Sequence, residues 1–423
     1  MILPVDPSRL EKPQLDLGFI PLTDCAPLVA AHELGFFERY GLDVTLHREP
    51  TWSSIRDKVA FGLLDAAHML APMPIAATLG IDGVAQPMIT AMSLGLNGNA
   101  ITVSNELHAR MIDADANMLA LRHRSAGALK KVIEANRRAG CKPLTFATVF
   151  PVSSHNYQLR YWMASAGIDP DRDVRLVIVP PPQMIDRLAA GQIDGYCVGE
   201  PWNEMAVHHR LGHVVLTGYE LWNNSPEKVL GVTAEWAAEN SRTHMALVAS
   251  LIDAARWIDQ PDHRLRVACM LAKPQYVGAP LDVVKMSMMG TFVDHAGAEP
   301  RPVPDFNVFY RYAATFPWRS HAVWFMTQMA RWGQIARNAP FAEIARRVYR
   351  PDIYRAAAAT LDVDCPPTDY KTEGRYDLPH DPAEGPTLGP DRFMDRHEFD
   401  PTHPLNYLDS FPIRHRSKSM PVM

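Results

Sequence analysis

The sequence predicts an α/β protein of two lobes, and three observations carry that expectation. Strand-like and helix-like patterns alternate from Leu15 to Thr217, an order that builds sheets with helices on their faces. The pattern repeats after a basic stretch at 118–140, and "KVLGVTAEW" (228–236) then reads as a strand returning toward the first unit. A chain of 423 residues also exceeds one simple core, so two lobes flanking a cleft are expected.

The elements follow in order. "LDLGFI" (15–20) is a short apolar run, and "CAPLVAAHELGFFERYG" (25–41) has apolar residues at helical spacing with Gly41 where a C-cap belongs. "DVTLHRE" (43–49) alternates as a strand, "WSSIRDKVAFGLL" (52–64) is helical, "DAAHML" (65–70) is a buried strand and "MPIAATLG" (73–80) a helix. "QPMITAMSL" (86–94) and "NAITVS" (99–104) read as strands.

The second unit has strands at 144–150, 175–180, 194–199 and 213–217, with helices at 155–166, 183–190 and 201–210 between them. The chain then turns mostly helical to about residue 360. The expected division is 14–104 for the first part of lobe 1, 105–222 for lobe 2 and 223–365 for the return of lobe 1. The last 58 residues (366–423) hold ten prolines and little periodicity, which predicts an extended C-terminal arm. Its "FDPTHPLNYLDSFPI" (399–413) has enough Phe, Tyr and Leu to pack on a surface.

A net charge of −5 argues against binding nucleic acid through the overall field. The five cysteines are scattered, odd in number and free of any CxxC or Cys/His spacing, so neither zinc nor a disulfide framework is expected. "MILPVDPSRLEKPQLDLGFI" lacks the basic and apolar regions of a secretion signal, and no run of eighteen apolar residues occurs; the expectation is a cytoplasmic protein. Walker A, GxSxG and HExxH sequences are absent, and no enzyme is expected.

"LDLGFIPLTDCAPLVAAHELGFFERYGLDV" (15–44) resembles the opening of ABC-transporter substrate-binding proteins, in the branch that receives nitrate, nitrite or bicarbonate. "TWSSIRDKVAFGLLDAAHMLAPMPIAATLG" (51–80), "RYWMASAGIDPDRDVRLVIVPPPQM" (160–184), "DGYCVGEPWN" (194–203) and "PEKVLGVTAEW" (226–236) continue the resemblance in order. It implies a type II periplasmic-binding-protein fold closing on a small oxyanion. Combined with the N-terminus, it implies the cytoplasmic nitrate/nitrite sensors of the NasS type. Such a sensor releases an ANTAR-type RNA-binding regulator (NasT-like) when the anion binds. The alternative is the receptor of a nitrate/nitrite or bicarbonate ABC importer. An enzyme on the same fold, such as a pyrimidine synthase, would need a catalytic histidine in cysteine-rich surroundings.

The resemblance implies a ligand set of Trp52, Asn99, His155, Pro181, Gly199 and Lys228, with no cofactor and no metal. Trp52 would donate through its indole and Lys228 would supply the positive charge. His155, where a strand gives way to a helix, would stand beside free backbone N–H groups suited to an anion. Gly199 would let its backbone approach the ligand, Pro181 would shape the wall, and Asn99 would donate from a shorter amide than the family's glutamine. Trp52 and Lys228 are expected from one lobe, His155 and Gly199 from the other. Taken singly, the same residues read as a core aromatic, a turn asparagine, a helix-start histidine, a tight turn and a surface lysine. The basic stretch carries Arg122, Arg124, Lys130, Lys131, Arg137 and Arg138, and reads as a solvated helix or as a docking surface for the regulator.

Overall fold

The computed structural model describes residues 9–83, 85–120 and 125–414. In chain order its first strands are β1 (Gln14–Phe19), β2 (Asp43–Arg48), β3 (Ala66–Leu70), β4 (Met88–Asn97) and β5 (Asn99–Ser104). Next come β6 (Thr145–Thr148), β7 (Arg175–Ile178), β8 (Gly195–Gly199), β9 (Gly212–Thr217) and β10 (Pro226–Thr233). The short strands β11 (Thr291–Phe292), β12 (Arg301–Pro302) and β13 (Asn307–Val308) complete the set.

Eleven of the strands sort into two sheets, one per lobe, and β11 and β12 form a separate antiparallel pair. Lobe 1 has the order β13-β4-β10-β3-β1-β2 and lobe 2 the order β7-β6-β8-β5-β9. The pairs β1·β2, β1·β3, β6·β7 and β6·β8 are parallel, as βαβ connections require. Both sheets are nevertheless mixed, because β10 runs antiparallel to β3 and β4, and β5 antiparallel to β8 and β9. β10 is thus the returning strand expected from 228–236.

The expected lobe boundary at 104 moves to Gly98. Asn99 already pairs with Gly199 of β8, so β5 belongs to lobe 2 although it follows β4 after a single residue. Gly98 holds φ 94, a left-handed conformation that a glycine adopts without strain, and an added Cβ would lie 2.7 Å from Asn307 Oδ1. The chain crosses back through 222–225, between lobe 2 and β10.

The expected helix over 25–41 is interrupted at Gly35, giving Ala26–Glu33 and Phe36–Arg39, with Gly41 left-handed at φ 77 just past the end. The basic stretch contributes helix Gly127–Arg138, where Lys131 pairs with Asp115 and Arg137 with Asp173; Arg122 and Arg124 lie outside the described residues.

The arm is extended but fastened down. Phe393, Phe399, Tyr407 and Phe411 are buried, and Phe393 stacks on Trp222 of the second crossover at 4.5 Å. Tyr161 of lobe 2 donates to Asp395 at 2.9 Å, and Arg331 of helix Arg319–Arg331 covers the Phe411 ring at 3.8 Å. The arm therefore ties lobe 2, the crossover and the late helices together through apolar burial. No helix among the described residues is long and apolar enough to cross a membrane.

Candidate functional site

In open α/β sheets the carboxyl ends of parallel strands carry the ligand, because the helices that follow present unpaired N–H groups there. Both lobes obey this rule and face each other at that edge. Trp52 opens the helix after β2, where Thr51 Oγ1 accepts from Ser54 N at 3.1 Å as the N-cap. His155 is the second residue of helix Ser154–Ser165, whose N-cap Ser153 accepts from Asn156 N at 3.0 Å. Lys228 lies on β10 beside Leu70 of β3, while Asn99 and Gly199 face each other across β5 and β8.

Five of the six expected residues converge. Lys228 Nζ stands 5.6 Å from the Trp52 ring centroid, and Trp52 lies 5.4 Å from the His68 ring. His155 Nε2 is 3.5 Å from Glu227 Oε1, and Asn99 Nδ2 donates to Glu227 Oε2 at 2.5 Å. Trp52, Asn99, His155 and Lys228 are all buried, the lysine 1% exposed. Pro181 is buried at the start of the turn Pro181–Gln183 beyond β7, and no ring contact or hydrogen bond joins it to the cluster among the described residues. Gly199 keeps ordinary φ, and an added Cβ would make only ordinary contacts, with Asn99 Oδ1 at 3.4 Å and Leu22 at 3.5 Å.

Four participants were not in the expected set: Asp24, His68, Gln158 and Glu227. Lys228 Nζ donates to Asp24 Oδ2 at 2.7 Å and to Glu227 Oε1 at 2.6 Å, so its charge is already balanced by carboxylates. His68 accepts from Ile20 N at Nδ1 (3.4 Å), which leaves the proton on Nε2, 2.9 Å from Asp24 Oδ1. Asn99 also donates to Gln158 Oε1 at 3.1 Å, so its N–H groups serve protein partners rather than pointing freely.

The electrostatics follow from burial. Burial alone would lower the Lys228 pKa, but Asp24 and Glu227 outweigh it and the shift is upward. Burial works to raise Asp24, yet Lys228 and His68 hold that carboxylate well below its usual range. For Glu227 burial prevails over Lys228 and the pKa rises. Burial pushes His68 down despite Asp24, and burial with the nearby Lys228 charge pushes His155 well down. Both shifts favour the neutral imidazole. The cluster is then neutral when Glu227 carries its proton and negative when it does not.

Several polar atoms here have no hydrogen-bond partner: Trp52 Nε1, both ring nitrogens of His155, Asn99 Oδ1, Thr23 Oγ1 and Thr148 Oγ1. Each such atom costs about 1–3 kcal/mol if left unsatisfied. They concentrate at the facing strand ends of the two lobes. The lobes touch across it, with Thr23 N donating to Glu200 O at 2.8 Å and Trp202 Nε1 to Pro21 O at 3.2 Å.

The NMT1-like family profile aligns with residues 8–272. The chain belongs to the NMT1-like family. This NMT1-like chain is 44% identical over 356 residues to the nitrate import ATP-binding protein NrtC of Synechocystis sp., covering 84% of itself and 51% of that relative. It is 40% identical over 363 residues to the bicarbonate transport ATP-binding protein CmpC of the same organism, again covering 84% and 51%. The chain thus spans about half the length of these curated relatives.

The crystal structure of the periplasmic nitrate-binding protein NrtA from Synechocystis PCC 6803 superposes with a TM-score of 0.84 at 30% identity, over 96% of this chain and 100% of that one. The NMT1-like chain has the two-lobed periplasmic-binding-protein fold and sits in the nitrate/nitrite/bicarbonate-binding branch. Relatives from Synechococcus elongatus and Nostoc sp., 32% and 30% identical and covered to 86% and 87% of their length, are named nitrate/nitrite binding proteins.

Proposed function

We propose that the chain is a receptor that closes its two lobes on nitrate or nitrite and serves an ABC importer. The observation that carries this reading is the convergence of Trp52, His155 and Lys228 from both lobes into one buried cluster whose indole and imidazole nitrogens lack protein partners. Nitrate is flat, weakly basic and singly charged, and needs one cation with donors from several directions away from bulk water. Trp52 Nε1 and a ring N–H of His155 supply donors, Lys228 the cation, and Gly199 part of the wall. The lobes close because only the closed form brings these groups onto one anion.

The sensor reading shares this site and differs in the partner, an ANTAR-type regulator in the cytoplasm instead of an importer; the relatives favour the importer. Bicarbonate is the second reading of the ligand, supported by the unpartnered Asn99 Oδ1, which could accept from its O–H, and by the similarity to CmpC. Calorimetric titration of the full chain with nitrate, nitrite and bicarbonate separates the ligands. Affinity purification from cells under each anion separates importer subunits from an RNA-binding regulator. Binding of none of the three anions would overturn the receptor reading.

A further inference from the structure

A cavity of about 270 Å³ lies behind the crossovers and under the arm. Leu96 and Asn224 bring it up against both crossovers, and Gly389–Asp391 of the arm form another wall. The arm is seated closely there. Asn224 Nδ2 donates to Pro390 O at 2.7 Å, and a Cβ on Gly389 would come within 2.5 Å of Asn224 Nδ2 and 2.6 Å of Tyr312 Cδ2. Asn224 and Tyr312 hold left-handed backbone, φ 58 and φ 64, a cost the surrounding contacts sustain at the cavity wall.

The donors and acceptors around this space are unequal. Asp391 is the acid on its lining, and its oxygens are engaged: Oδ1 accepts from Trp222 Nε1 at 2.6 Å and Gly374 N at 2.8 Å, and Oδ2 accepts from Lys371 at 2.7 Å. Lys371 also binds Glu373, which leaves one of its three N–H donors uncommitted. Arg375 has no carboxylate partner among the described residues, and its guanidinium stands 6.0 Å from the Tyr376 ring. His321 is 1% exposed and lines the cavity; its Nδ1 lacks a partner and its Nε2 is 3.5 Å from Glu373 Oε1. With Nε2–H turned to Glu373, His321 Nδ1 is an acceptor, so the donors that remain on this lining are those of Arg375 and Lys371. Aromatic rings give the lining flat walls, with Tyr376 stacked on His380 at 3.7 Å and the Tyr312 and Trp318 rings close by.

We propose that this cavity is a second ligand site, which takes a small organic carboxylate with a flat apolar body. The carboxylate meets Arg375 and Lys371, and the body lies among Tyr312, Trp318 and Tyr376. The space holds about ten non-hydrogen atoms, so a four-atom oxyanion neither fills it nor uses its aromatic walls. The inference is independent of which anion binds between the lobes.

Saturation-transfer NMR on the full chain tests it, with benzoate and phenylacetate as probes and benzamide as the uncharged control. The expected result is saturable binding of a carboxylate probe, benzamide weaker by about tenfold or more, and no displacement by saturating nitrate. Arg375→Gln is at an exposed position and should fold normally while weakening the carboxylate by about tenfold. The proposal is overturned by absence of saturable binding for both carboxylates or by equal binding of benzamide. Displacement by nitrate, or unchanged affinity in Arg375→Gln, overturns it equally.

Discussion

Lys228 Nζ lies 2.6 Å from Oε1 of Glu227, the residue immediately before it on the same strand. Neighbours on a strand ordinarily point to opposite faces. Here β10 has register shifts against β4 on both sides of Lys228, a bulge-like irregularity that aims both side chains into one buried cluster. The cation of the candidate site is therefore built together with its counter-charge, and that shapes the predictions.

Lys228→Met removes the ammonium and strands Asp24 and Glu227 in a buried site. Breaking a buried pair in this way costs about 3–5 kcal/mol, read from urea unfolding, and anion binding should disappear. The triple variant Asp24→Asn, Glu227→Gln, Lys228→Met should recover most of the stability and none of the binding. Recovery of both would show that Lys228 is purely structural.

Anion affinity should rise as pH falls. Glu227 has a raised pKa and His155 a lowered one, and an incoming negative charge pushes both upward, so binding takes up protons. The gain is at most about tenfold per pH unit for each proton. Titrations in two buffers of different ionisation enthalpy measure the uptake directly; identical heats would refute it.

His244, fully buried in helix Ser241–Ile258, has its pKa lowered to about 4 by burial and then by Arg350. A folded pKa below the unfolded value means the stabilising contribution is complete above about pH 6.5 and is lost as pH falls toward about 4. The loss is about 3 kcal/mol at most. Urea unfolding across this range should show a shallower fall for His244→Gln than for the parent, and parallel curves would contradict the assignment.

Gly98→Ala should destabilise the protein by about 1–3 kcal/mol, since φ 94 and Asn307 Oδ1 both oppose a Cβ. A denaturation midpoint equal to that of the parent would show that the crossover relaxes without cost.

Much of this architecture was legible. The alternation of patterns gave both lobes, and the resemblance of their flanking motifs to a known branch singled out Trp52, His155 and Lys228, which the fold brings into one buried cluster. The boundary at Gly98 was hidden because β4 and β5 read as neighbouring strands separated by a short glycine-containing stretch. Periodicity does not say which sheet a strand joins. Glu227 was hidden by the bulge that overrides strand alternation. Asp24, His68 and Gln158 carry no local pattern of their own and enter the site only through tertiary contact. The adjacent "EK" of "SPEKVLG" was the available signal for Glu227.

The most direct test of the oxyanion site is calorimetric titration of nitrate into the parent protein, Trp52→Phe and His155→Ala, with unfolding measured alongside. Trp52→Phe keeps the aromatic packing and deletes the unpartnered Nε1 donor. The predicted result is micromolar-range binding to the parent, roughly −8 kcal/mol, weakened by about tenfold or more in both variants, with Trp52→Phe no less stable than the parent. Unchanged nitrate affinity in both variants, or no binding by the parent, would contradict the account.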